Sequence, residues 1–275
     1  MLLNKLTNCI FNLRHLFSNK PLLYNNSEIT VIITMWKRNH LEEQLHALLN
    51  QSEKPKHIWI IQCGNHINLS KTLNKYPEVK LIHSEIDLKY FARFSVALFV
   101  ETKYIFVIDD DVIPSSTWLE NCRSTCENYN MIVASAGRII PKNDFQPERM
   151  NNVQKYFIGD IDTRVEFNTC LENKIVDFGC NSWFFKTDWI KSFWNISPFT
   201  LDTAEDIHLS AVCKIILNIS TIVPCQTNGF DTGNLKIKYG RDELASWHKP
   251  GFLQKREIVL RYLIEQKGWK PILWG

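Results

Sequence analysis

The chain has 275 residues, of which 45% are apolar and 12% aromatic, so it can bury a large core and is not expected to be disordered. Its formal charge of +3 is nearly balanced for this length, and no dense block of Lys and Arg follows the first twenty residues. Nucleic acid is therefore not an expected partner.

The first twenty residues interleave apolar and basic side chains without a long apolar stretch. This pattern excludes a membrane-spanning helix and the core of a signal peptide. We predict a basic amphipathic extension over residues 1–27, which either contacts an anionic membrane surface through residues 1–20 or packs on the protein itself. The protein is expected to be cytoplasmic, either soluble or peripheral to a membrane.

Strand and helix patterns alternate from residue 28 onward. A β-branched run at residues 29–34 predicts a buried strand, and leucines at helical spacing over residues 41–49 precede a second strand at 57–62. Further strands are predicted at 79–83, 104–108, 131–135 and 181–186, and further helices at 90–100, 116–129, from about 203, and 252–266. The alternation predicts an α/β fold with a Rossmann-like, mixed and mainly parallel central sheet flanked by helices, whose ligands collect at the carboxyl ends of the strands.

Three consecutive aspartates, Asp109, Asp110 and Asp111, directly follow the strand predicted at 104–108. Neighbouring carboxylates repel one another unless a cation lies among them, and oxygen ligands suit Mn²⁺ or Mg²⁺. Such an ion would neutralise the charge that develops on a leaving diphosphate. We therefore predict a divalent-metal site here, and a solvated acidic turn is the alternative.

The eight cysteines form no CxxC pair and show no zinc-site spacing. Most of them lie within apolar patterns, so buried thiols are expected, with a disulfide between Cys170 and Cys180 as the alternative.

Four segments of the chain resemble the glycosyltransferase domain of the exostosin family and, more distantly, the large inverting GT-A family. The first, which runs from Thr34 to Arg38, is similar to the family sequence Q-T-Y-N-R, and the second is Arg93 at the family's spacing ahead of the third, the aspartate triplet. The fourth joins Glu205-Asp206-Ile207, similar to D-D-I, to Lys249-Pro250-Gly251 and Lys255-Arg256, similar to K-P-G-H-F-K-K-R.

The resemblance implies a GT-A fold, a UDP-sugar donor and Mn²⁺. It implies nucleotide or donor contacts for Thr34, Trp36, Arg38, Arg93, Asp109, Asp110 and Arg256, and metal ligation by Asp111 with Asp109. The family's asparagine pair after the second strand is absent, so uracil recognition is placed on Gln62 or Asn65. Independently of the resemblance, arginine suits phosphate oxygens because its guanidinium is planar and permanently charged. Arg93 and Arg256 could instead be ordinary salt-bridge residues.

Asp206 is the preferred catalytic residue, with Glu205 binding the acceptor or the donor sugar. A carboxylate here could accept the proton of the acceptor hydroxyl, or it could simply cap the helix that begins at this point. His248 is a candidate ligand for the metal or phosphate, although a lone histidine is often only a surface residue. Residues 183–185 are aromatic and form either a stacking floor for the acceptor sugar or part of the core.

These features predict a hexosyl- or pentosyltransferase that moves a sugar from UDP-GlcNAc, UDP-GlcA or UDP-xylose to a hydroxyl of an oligosaccharide or glycoconjugate acceptor. Residues 28–275 would form one catalytic domain, with a nucleotide-binding half at 28–111 and an acceptor-binding half at 112–275. One alternative is a metal-dependent nucleotidyltransferase, although residues 35–38 lack the glycine-rich phosphate loop of that class. Another is a noncatalytic module that binds nucleotide or carbohydrate.

Overall fold

The computed structural model describes residues 27–142, 144–145, 153–159 and 166–275. All but the last residue of the predicted extension at 1–27, and with it the predicted membrane contact, lie outside the described residues. Within the described ranges, none of the helices combines the length and the apolar character that a bilayer crossing requires.

A mixed sheet of nine strands forms the centre of the described structure. In chain order the strands are β1 (Ile29–Met35), β2 (His57–Cys63), β3 (Lys80–Ser84), β4 (Tyr104–Ile108), β5 (Ile132–Arg138), β6 (Phe157–Ile158), β7 (Lys174–Val176), β8 (Phe178–Lys186) and β9 (Thr221–Val223). Their order across the sheet is β3-β2-β1-β4-β8-β5-β9-β7, with β6 paired to β5.

Eight α-helices accompany the sheet in the described residues. They are α1 (Leu41–Leu49), α2 (Ser70–Lys75), α3 (Ala92–Val96), α4 (Trp118–Tyr129), α5 (Val153–Tyr156), α6 (Thr187–Ile190), α7 (Glu205–Leu217) and α8 (Phe252–Arg261). Short 3₁₀ turns at Lys89–Phe91 and Ala97–Phe99 flank α3, so the single helix predicted over 90–100 is broken into three pieces.

The first four strands form a continuous parallel part of the sheet, as predicted. β1 pairs in parallel with both β2 and β4, and β2 pairs in parallel with β3. Every residue of β4 is buried, which explains its unbroken apolar sequence, because a strand covered on both faces has no polar side. The carboxyl ends of β1, β2 and β4 consequently meet at one edge, where the chain continues into Thr34–Arg38 and the aspartates.

Beyond β4 the sheet is largely antiparallel, so the antiparallel share of the predicted mixed sheet is larger than expected. β8 runs antiparallel between β4 and β5, and Ile108 pairs with Ser182. β-propensity carries no information about strand direction, which depends here on the path of the long segment after β5. The antiparallel register brings Asn181 beside the aspartates, because Asp109 N donates a hydrogen bond to Asn181 O at 3.1 Å.

The aromatic residues of β8 belong to the core. Trp183, Phe184 and Phe185 are at most 2% exposed, and the Trp183 ring lies edge-on to Phe94 with centroids 5.5 Å apart. They therefore form no stacking floor for a sugar. The other predicted role, as part of the core, is the one observed. The described cysteines are thiols, so the disulfide considered between Cys170 and Cys180 is not formed.

Candidate active site

A cavity of about 440 Å³ lies at the carboxyl ends of β1, β2 and β4. One wall comes from Thr34, Trp36 and Arg38 after β1 and from the aspartate triplet after β4. The opposite side comes from the C-terminal segment that includes residues 244–250, which crosses the carboxyl edge of the sheet. The predicted strand-end location of the site thus agrees with the position of the cavity.

Asp109 faces the buried Arg93. Arg93 Nη1 donates a hydrogen bond to Asp109 Oδ1, and Arg93 Nη2 lies 3.9 Å from Glu205 Oε1. Burial raises the pKa of Asp109 above its ordinary value, although the positive charge of Arg93 acts against the rise. Arg93 therefore neutralises two carboxylates from opposite halves of the chain.

Arg38 is the cation of the other two aspartates. Its Nη1 lies 3.0 Å from both Asp110 Oδ1 and Asp111 Oδ2, while its Nε and Nη2 donate to the Asp242 carboxylate at 2.8 and 2.6 Å. Burial lowers the pKa of Arg38, but the Asp242 hydrogen bonds and the charges of Asp111 and Asp110 outweigh it and raise the pKa. A Cβ atom on Gly240 would lie 2.9 Å from Asp111 Oδ2, so a larger residue here would require the Asp111 carboxylate to shift.

Two carboxylate oxygens of the triplet are suitable ligands for one Mg²⁺ or Mn²⁺ ion. Asp110 Oδ1 and Asp111 Oδ2 converge on a single position, the one that Arg38 Nη1 takes, and carboxylate oxygens are the preferred ligands of both ions. The described residues contain no cluster of three or more His, Cys, Asp and Glu that could hold a metal. One or two carboxylates are nevertheless sufficient for Mg²⁺ when phosphate and water complete its shell. Asp109 points to Arg93 instead of this position.

Asp206 and Arg256 form a buried pair at the start of α7. Arg256 Nη1 and Nη2 donate to the two carboxylate oxygens of Asp206 at 2.9 and 3.0 Å, in a bidentate geometry. Asp206 Oδ1 also accepts a hydrogen bond from Ile207 N at 2.8 Å, so the residue satisfies an amide of the first helical turn as well. Arg256, expected on the diphosphate, is held by Asp206 and does not line the cavity.

Glu205 is a second carboxyl of the site with a raised pKa. Burial raises its pKa to about 7, which the charge of Arg93 only partly offsets. The folded protein therefore retains a proton on Glu205 between its ordinary value of 4.5 and about 7, where the unfolded chain has lost it.

We expect the free energy of unfolding to decrease as the pH rises through this interval, with on the order of 3 kcal/mol attributable to Glu205. Urea unfolding at pH 4.5 to 7.5 would measure the decrease. Glu205→Gln cannot ionise, so its stability should decline less steeply over the same range. Parallel profiles for the variant and the wild type would contradict this assignment.

Other predicted residues occupy two different environments. Thr34 Oγ1 is buried on the cavity wall without a hydrogen-bond partner among the described residues. The centre of the Trp36 ring lies 4.4 Å from Lys37 Nζ and 4.3 Å from Lys249 Nζ. Both residues can contact a ligand in the cavity.

Gln62, Asn65 and His248 lie away from the cavity. Gln62 Nε2 donates to Ile67 O at 2.7 Å, and Gln62 and Asn65 face a separate surface groove of about 410 Å³. Gln62 therefore stabilises a turn. His248 is exposed and its ring lies on Trp247, with centroids 3.5 Å apart.

Lys89, Asp202 and Asp242 are cavity or cavity-edge residues that sequence reasoning missed. Lys89 and Asp202 form an ion pair on the cavity wall, and Asp242 binds Arg38. These residues lie in irregular segments without hydrophobic periodicity. Lys89 and Asp202 each lie just before a predicted helix start, at 90 and 203, whereas Asp242 offered no such signal.

The sequence matches the family described as Glycosyl transferase family 2 over residues 30–192. None of the curated proteins matches it. Among solved structures it is similar to S. aureus TarS 1-349 in complex with UDP, with 12% identity, a TM-score of 0.52 and coverage of 86% of this chain and 65% of that chain. A second S. aureus TarS structure matches with 14% identity, a TM-score of 0.45 and coverage of 72% of this chain and 36% of that chain.

The chain thus spans less than two thirds of each TarS chain. At these identities the likeness to TarS 1-349 concerns the fold, and it bears out the predicted GT-A architecture of a mixed sheet flanked by helices. The narrower resemblance to the exostosin group stays a prediction. Because the family match extends over more than half of the sequence, this chain belongs to glycosyl transferase family 2.

Proposed function

We propose that the protein transfers a sugar from a UDP-sugar to a hydroxyl group of an oligosaccharide or glycoconjugate acceptor. The observation that carries the proposal is the cavity at the strand ends, where an acidic triplet and two arginines surround a space of about 440 Å³. The family match supports glycosyl transfer, and the similar TarS 1-349 structure is a complex with UDP. The donor is expected to be UDP-GlcNAc, UDP-GlcA or UDP-xylose.

Residues 28–111 would bind the nucleotide. The buried hydroxyl of Thr34 and the ring of Trp36 lie on the cavity wall, so they can receive the base and ribose. Arg93 and Asp109 are bound to each other and would position the donor from the side of α3. Residues 112–275 would bind the acceptor, because α7 and the segment 240–250 approach the triplet from that half.

Asp110 and Asp111 would hold Mn²⁺ or Mg²⁺, since their oxygens converge on one position. A bound ion supplies Lewis-acid stabilisation of the charge on the diphosphate. A bound ion would displace Arg38 Nη1 from that position. The Nε and Nη2 atoms of Arg38 can meanwhile keep their hydrogen bonds to Asp242.

Asp206 would accept the proton of the acceptor hydroxyl. The acceptor oxygen then forms a bond to the anomeric carbon, the bond from that carbon to the diphosphate breaks, and UDP leaves. Thr203, three positions earlier, lines the cavity, whereas both oxygens of Asp206 are held by Arg256, so Asp206 would turn from Arg256 to reach an acceptor hydroxyl. Glu205 would contact the acceptor or donor sugar beside Arg93.

Calorimetric titration with UDP should show tighter binding with Mn²⁺ than with a chelator, and Asp111→Asn should abolish the difference because it removes a charged oxygen ligand. Radiolabelled UDP-GlcNAc, UDP-GlcA and UDP-xylose, assayed for Mn²⁺-stimulated hydrolysis, would identify the donor. Identical UDP affinity with and without chelator would contradict the metal site. Absence of UDP binding under both conditions would contradict the proposed function.

A further inference from the structure

Asp202 holds two lysines together on the wall of the cavity. Its Oδ1 accepts a hydrogen bond from Lys89 Nζ, and its Oδ2 accepts one from Lys255 Nζ at 2.6 Å. Lys89 comes from the segment between β3 and α3, whereas Lys255 lies in the second turn of α8. All three residues line the cavity. An anion between two ammonium groups from distant segments is thus already part of the structure.

The charges of this cluster do not balance. One carboxylate contacts two ammonium groups, and the same cavity wall adds the cation of Lys249 and, beside Lys89, the carboxylate of Asp87. The hydrogen bonds from Lys255 and Lys89 hold the pKa of Asp202 at about 2, so this carboxylate is ionised at any working pH. Two ammonium groups that share one singly charged carboxylate would bind an anion of higher charge more strongly.

The carboxylate can be displaced at small cost. The side chains of Lys89, Asp202 and Lys255 are between 38% and 51% exposed, and ion pairs at such exposure contribute little to stability. Lys89 also has a φ of 52°, in the left-handed region that non-glycine residues rarely adopt. Such conformations occur preferentially at ligand sites, which is consistent with binding at this position.

We propose that Lys89 and Lys255 form a phosphate-binding site and that Asp202 occupies it in the ligand-free protein as an internal substitute for the phosphate. The ligand class is a pyrophosphate group, either free or within a nucleoside diphosphate. Only the assignment to a nucleoside diphosphate rests on the proposed function. Arg256 was the predicted C-terminal contact of the diphosphate, but Asp206 holds it. Lys255 would make this contact instead. Asp202 thereby competes with the ligand and limits its affinity.

Calorimetric titration with inorganic pyrophosphate, UDP and uridine, all in chelator, would test this site. Lys89→Met and Lys255→Met should each weaken binding of pyrophosphate and UDP by about tenfold, because a charge-assisted contact is lost. Asp202→Asn should strengthen both by about three- to tenfold, because the competing carboxylate is neutralised. Uridine has no phosphate, so its affinity should not change.

The matched controls are Lys191→Met and Asp188→Asn. These residues form another exposed ion pair, at 2.6 Å, which does not line the cavity, so the same charge changes should leave all three affinities unaltered. Weaker or unchanged UDP binding by Asp202→Asn would overturn the competition. Unchanged pyrophosphate binding by both lysine variants would overturn the site. If the wild type bound pyrophosphate but neither UDP nor uridine, the proposed function would fail while the phosphate site would stand.

Discussion

Asp206→Asn is expected to lower the rate of sugar transfer by about a thousandfold, the size of a lost general base. The amide cannot accept the proton of the acceptor hydroxyl. UDP affinity should remain close to that of the wild type, because Asp206 does not line the cavity and faces Arg256. Radiolabelled transfer and UDP titration on the same preparation would separate the two effects.

Asp206→Glu is the matched variant, because it keeps the negative charge beside Arg256 and should retain more transfer than the amide. Thermal unfolding of both variants is needed, since the neutral amide leaves the buried Arg256 with a weaker partner. Normal turnover by a folded Asp206→Asn protein would remove this residue from the mechanism. Loss of UDP binding together with transfer would instead assign it to the donor site.

Arg93→Met should lower the free energy of unfolding by about 3 kcal/mol or more. The guanidinium is buried between Asp109 and Glu205, so its removal leaves two carboxylates without their cation. The loss should be larger at pH 8 than at pH 5, because both carboxyls, whose pKa values burial raises, can protonate at the lower pH. Urea unfolding at the two pH values measures it.

Arg123→Met is the control for this change. Arg123 donates to Glu53 at 2.6 Å, but its side chain is 38% exposed, and the loss of such a pair costs about 1 kcal/mol or less. Equal destabilisation by the two variants would show that Arg93 does not compensate the buried carboxylates. A pH-independent loss at Arg93 would point to packing, for example against Trp183, whose ring centre lies 5.3 Å from the guanidinium carbon.

Local sequence patterns predict most elements of the fold. The strand predicted at 104–108 is observed as β4 with the same bounds, and the helix predicted at 41–49 is α1. Periodicity succeeds here because burial of each strand and helix follows from its own residues. It fails for the direction of β8, which depends on the path of the preceding segment, and for the short β9, whose three residues carry too weak a signal.

In the candidate site, too, some features follow from local sequence and others only from tertiary packing. Local pattern was sufficient to place the acidic triplet at the end of a buried strand, and parallel strands bring such ends to one edge of the sheet. The partner of each charge emerged only from the packing of distant segments. Arg38 meets Asp242 across 204 positions, and Asp206 meets Arg256 across 50. No periodicity links such positions, because their contact depends on how the C-terminal segment crosses the cavity, and that path is set by the assembled core.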